Sequence, residues 1–100
     1  GLHVQKKAVE HGVRFSGCSV HLVNEECDEG PIIIQAVVPV FPQDTEDSLA
    51  SRILEQEHRI YPRAIQLYSE GRLRIEGRRV FVDGLAKEEN QVLVQPPLKK

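Results

Sequence analysis

Hydrophobic and polar positions along the chain change period several times, and each change marks an element. Between His3 and Glu10, Val4 and Ala8 stand four apart, the spacing of one helical face, and Gly12 supplies a stop signal. Val13 to Gly17 leads into a strand at Cys18 to Val23, where Val20 and Leu22 alternate with Ser19 and His21 across the pleat. Asn24 to Gly30 is an acidic turn that closes on Gly30-Pro31. Pro31 to Phe41 carries Ile and Val on both alternations, which predicts a strand covered by layers above and below. Gln43-Asp44-Thr45 supplies an N-cap, and the acidic residues after it suit a helix running from about Glu46 to Glu70 and stopped by Gly71. Pro62 inside that run removes a backbone donor and crowds the carbonyl of His58, so a kink is expected there. Leu73 to Ile75 and Arg79 to Val82 predict a hairpin around Glu76-Gly77-Arg78.

From Lys87 onward the chain turns polar and proline-containing, which predicts a frayed tail over 87–100 behind a folded unit over 1–86. Strand, strand, helix and hairpin suggest part of an α/β layered sheet, and such a sheet needs more strands than these. The absence of methionine and the start at Gly1 read as a piece of a longer chain with its upstream residues missing.

Composition narrows the class. With 40% hydrophobic and 28% charged residues the chain reads as one soluble globular unit. A formal charge of -2 argues against nucleic acid or an anionic membrane surface as partner. The longest apolar run, Pro31 to Pro42, is too short to span a bilayer, and the polar start with Lys6 and Lys7 is unlike a signal peptide. Cys18 and Cys27 do not make a disulfide framework, which favours the reducing cytoplasm. A metal reading would recruit Cys18, His21 and Cys27, yet none forms the short-spaced ligand pair that zinc sites use, so no metal is expected.

Two constellations could carry chemistry. Ser19 and His21, two apart on a strand, share a face about 6.6 Å apart, and Asp28 follows at the end of a tight loop. A carboxylate at a strand end can hold an imidazolium or orient a water; equally, His21 can be a bonded sheet residue and Asp28 a turn former. On the long helix the apolar stripe reads Leu49, Ile53, Ile60, Ala64, Tyr68, and Glu57 falls in the slot between Ile53 and Ile60. A carboxylate there needs a ligand or an ion partner such as Arg59 or Arg63, unless the helix rolls to expose it. Ser48 to Arg52, with Glu55, Arg59 and Arg63, read as a solvated face of partners at i,i+4 spacing, and the arginines of the hairpin as surface decoration.

The run Ser16-Gly17-Cys18-Ser19-Val20-His21-Leu22-Val23, followed by Asp28-Glu29-Gly30-Pro31-Ile32-Ile33, resembles the folate-binding half of the formyltransferase superfamily. Gln56-Glu57-His58-Arg59-Ile60-Tyr61-Pro62 and the opening Gly1-Leu2-His3 narrow the resemblance to the glycinamide ribonucleotide formyltransferases. The match runs from Gly1 to about Gly84. It implies the C-terminal half of a Rossmann-like α/β fold, made of strands, a long kinked helix and a terminal hairpin. The activity it implies is formyl transfer from 10-formyltetrahydrofolate, as co-substrate, to the amine of glycinamide ribonucleotide in purine synthesis. The resemblance makes Asp28 catalytic and lines the pterin with Asn24, Glu25, Glu26, Cys27 and Asp28. It makes Leu54, Glu55, Gln56 and Glu57 the substrate-binding stretch, Glu57 accepting from ribose hydroxyls, with Ser19 and His21 as supporting polar residues. The catalytic Asn and His would come from the missing N-terminal half, so this chain alone is expected to be inactive. A homodimer is compatible with it. Three rivals share parts of the pattern: a formyltetrahydrofolate hydrolase, a methionyl-tRNA formyltransferase, which would call for an RNA-binding domain, and a non-catalytic folate- or nucleotide-binding module.

Overall fold

The computed structural model describes residues 3–23, 29–85, 88 and 90–99. Helix α1, Val4–His11, ends on Gly12, whose φ of 67° is the left-handed conformation a helix stop uses. Strands β1, Phe15–Val23, and β2, Glu29–Pro39, pair antiparallel, and helix α2, Glu46–Ser69, follows. Strands β3, Leu73–Glu76, and β4, Arg79–Val82, close a second two-stranded sheet. Helix α2 contacts both β1 and β2, and α1 leans on α2.

Both long strands begin earlier than the apolar pattern alone indicated, because the ladder reaches from Phe15↔Pro39 to Val23↔Glu29 and recruits polar residues at its ends. The register slips between Val20 and His21, where Ile34 faces Val20 but Ile32 faces His21. Gly30 is buried beside β1, and a Cβ there would collide with the carbonyl of Leu22, so only glycine lets the strands close.

The core is small: Val38, Val40, Leu49 and Ile53 cluster, with Ala8, Val9 and Cys18 packed against them. Among the described residues, helices cover one face of the sheet. Strand β2 therefore does not have the two covered faces expected of it; Val37 stays 51% and Ile32 44% exposed. In the tail, Leu93 and Val94 border a shallow hollow with Phe15, Val37, Pro39 and Phe41.

Thr45 caps α2 by a capping box: its Oγ1 accepts from Ser48 N at 3.1 Å while Ser48 Oγ accepts from Thr45 N at 2.9 Å. The helix continues through Pro62 as one element from Glu46 to Ser69. Packing on the core supports the turn that proline weakens.

Three of the four arginines in and around the hairpin, Arg72, Arg74 and Arg78, make side-chain ties. Arg78 donates from Nη1 to the Glu29 carbonyl at 2.8 Å, fastening the hairpin tip to the start of β2. Arg72 Nε donates to the Asp83 carbonyl at 2.9 Å and closes the hairpin neck. Arg74 pairs with Glu76 and lies over the Phe81 ring, 4.4 Å from its centroid.

Candidate functional site

Leu54, Glu57, His58 and Tyr61 stand at helical spacings of three and four on α2, and with Ser19 and Val20 of β1 they line a cleft of about 510 Å³. Ile60 and Pro62 complete it. Two of the polar residues singled out from sequence, Ser19 and Glu57, thus come together from different elements. Leu54 supplies an apolar wall; Glu55 and Gln56 are not among the lining residues.

Helical phase explains that division and corrects the expected stripe. The buried positions of α2 are Leu49, Ile53, Ala64 and Leu67, while Tyr68 is 66% exposed. Steps of three and four from Ile53 pass through half-buried Gln56 and Ile60. Gln56 therefore occupies the inward slot, and Glu57, one residue further round, emerges on the flank that faces the cleft. Neither ion partner weighed for it is engaged with it: Arg59 donates to Gln56 Oε1 at 3.1 Å and Arg63 to Gln66 Oε1 at 2.8 Å. These i,i+3 bonds also replace the i,i+4 ion pairs expected for this face.

Pro62 has no N–H, so the carbonyl of His58 lacks its helical donor within the cleft-lining segment. His58 and Tyr61 escaped the sequence reading as lining residues, although their spacing from Leu54 and Glu57 was a usable signal. Beneath this face Cys18 directs its thiol to the Ile53 carbonyl at 4.0 Å. Burial pushes the Cys18 thiol pKa up, and the Glu57 charge adds to that rise.

His21 does not join Ser19. It is half-buried, with Nδ1 3.4 Å from the Leu22 carbonyl, and borders a separate hollow of about 210 Å³ with Ile33, Tyr61 and Tyr68. Asn24, Glu25, Glu26, Cys27 and Asp28 lie outside the described residues, between the end of β1 and the start of β2. Among the described residues no group of three or more His, Cys, Asp or Glu could hold a metal ion, and no helix is long and apolar enough to cross a membrane.

An antiparallel strand pair under one long helix, with Glu57 of the helix and Ser19 of β1 lining one cleft, is an α/β arrangement. The family model described as formyl transferase matches residues 1–65, and the chain belongs to that family. Within it, the chain is similar to phosphoribosylglycinamide formyltransferases. It is 45% identical to the one from Escherichia coli strain K12 over 84 residues, 84% of this chain and 40% of that protein. The crystal structure of the Anaplasma phagocytophilum phosphoribosylglycinamide formyltransferase superposes with a TM-score of 0.78 at 42% identity, covering 87% of this chain and 43% of that one. The trifunctional purine biosynthetic protein adenosine-3 of Drosophila melanogaster is 54% identical over 71 residues, 71% of this chain and 5% of that protein. The chain thus spans about two-fifths of the length of the bacterial relatives.

Proposed function

We propose that this chain forms one wall of an active site that transfers a formyl group from 10-formyltetrahydrofolate to the amine of glycinamide ribonucleotide in purine synthesis. The observation that carries this reading is Glu57, which lines the same cleft as Ser19 and is bound to neither nearby arginine. A carboxylate so placed accepts hydrogen bonds from vicinal ribose hydroxyls, an arrangement that favours a sugar-bearing acceptor over water. The His58 carbonyl, freed by Pro62, offers a second acceptor, and Leu54 a wall that excludes water.

The rest of the chemistry rests on the family resemblance. The acceptor amine attacks the formyl carbon, and residues of the upstream half stabilise the resulting oxyanion. Asp28 raises the pKa of the catalytic histidine contributed by that half and organises the water through which protons move. Asn24 to Asp28 line the pterin mainly through backbone groups. A reducing compartment such as the cytoplasm fits, since Cys18 stands as a free thiol.

The test is a chimera in which this chain replaces the matching 84 residues of the Escherichia coli relative. It should formylate glycinamide ribonucleotide. Glu57→Ala should raise KM for the ribonucleotide by roughly tenfold or more, the worth of a hydrogen bond to a charged group. Asp28→Asn should lower turnover by about a hundredfold or more, as loss of acid–base assistance does. Release of formate in place of formyl transfer, or an unchanged KM in Glu57→Ala, would reject the reading.

A further inference from the structure

We propose that Asp44 and Arg52 are positioning residues: the pair fixes how α2 sits on β2 and thereby holds Glu57 at its place in the cleft it lines with Ser19. This rests on the reading of Glu57 given above. The side chain of Asp44 is only 4% exposed and Arg52 24%. The two terminal guanidinium nitrogens meet the carboxylate at 2.8 Å, Nη1 donating to Oδ2 and Nη2 to Oδ1. The same carboxylate accepts from Phe41 N at 2.7 Å and from Ser48 Oγ at 2.8 Å. Nη1 of Arg52 also donates to the Pro39 carbonyl at 2.8 Å, and its Cζ stands 4.7 Å from the Phe41 ring centroid.

One guanidinium therefore grips the last residue of β2, the connection after it and the second turn of α2 together. The capping box starts the helix but involves only residues of the helix and its cap, so it sets no direction relative to the strands. The fork does. Ile53, the residue after Arg52, is buried in the core beside Val38 and Val40, and Glu57 follows one turn later. A roll of α2 by about 20° would carry a side-chain end at about 5–6 Å from the axis through about 2 Å. Displacements of about 1 Å matter in sites that orient a reactant. Lysine keeps the charge but not the planar fork, so the geometry and the charge can be separated.

The experiment is a double-mutant cycle in the active chimera, with thermal melts recorded alongside. Arg52→Lys should raise KM for glycinamide ribonucleotide by about tenfold while kcat stays within about threefold, because the ground-state contact is displaced and the reacting groups are not. Asp44→Asn should act in the same direction. In the Glu57→Ala background, Arg52→Lys should change KM by less than about twofold, since its effect runs through Glu57. A lower melting temperature with unchanged KM in Arg52→Lys, or effects of Arg52→Lys and Glu57→Ala that multiply in full, would overturn the positioning role. An unchanged KM in Glu57→Ala would remove the reading beneath it, and the role with it. In the 100-residue chain itself, Arg52→Lys should shift the amide resonances of Ser19, Glu57 and His58; unmoved resonances overturn the proposal without recourse to activity.

Discussion

The first two turns of α2 and the two turns that follow share one helix but solve opposite problems. Around Asp44, Thr45, Ser48 and Arg52 each polar side chain finds a partner within the chain, and Leu49 beside them is fully buried. Around Leu54, Glu57, His58 and Tyr61 the side chains face open space; Leu54 is 48% and Tyr61 58% exposed. A proline further removes the donor due to the His58 carbonyl. The first stretch spends its polar groups on defining a corner, and the second leaves them exposed, where the proposed function would use them. Within a single helical turn the chain passes from side chains tied to one another to side chains left exposed. Substitutions in the first stretch should be felt in stability and, at Asp44 and Arg52, in KM as well; those in the second should be felt in KM with little change in stability.

Leu49→Ala should show the largest effect on folding. It empties a site with 0% exposure at the centre of a small core, and a loss of about 2–5 kcal/mol in urea unfolding is expected; a loss under about 1 kcal/mol would mean the corner is not the anchor described. Next comes the acid response of the clamp. The Arg52 guanidinium, then the Phe41 N–H and the Ser48 hydroxyl, hold the Asp44 carboxyl well below the usual carboxylate range. Its contribution to stability is therefore complete above the ordinary pKa of about 3.9 and drains away as pH falls below it toward the depressed value. Asp44→Asn should be less stable at neutral pH and should show a flatter acid limb; equal slopes for the two chains would count against the clamp. Glu57→Ala, in contrast, should leave stability within about 0.5 kcal/mol, the usual range for an exposed position. The smallest expected change is at Cys18. Relieving the Glu57 charge by Glu57→Gln should speed alkylation of Cys18 by about two- to threefold at fixed pH in a Cys27→Ala background, through a larger thiolate fraction. No change there would place Glu57 further from β1 than the cleft geometry has it.

Much of this molecule was legible before any coordinates. Gly12, Thr45 and Gly71 announce where helices begin and end, because caps are local chemistry between residues three or four apart. The two-residue turn at Gly77-Arg78 and the strand on either side of it are equally local. Glu57 could be suspected from helical phase, although phase placed it one residue too far inward, where Gln56 sits instead.

What the linear chain determined by itself was the list of elements, their caps and the family to which the motifs point, since these depend on spacings within a few residues. Contacts between distant segments were decided only by the folded chain. Arg78 reaching Glu29, Cys18 reaching Ile53, the separation of His21 from Ser19 and the grip of Arg52 on Pro39 depend on how a helix is laid across two strands. That placement is chosen by burial of Val38, Val40, Leu49 and Ile53 together, a joint property of residues that no single window of sequence contains.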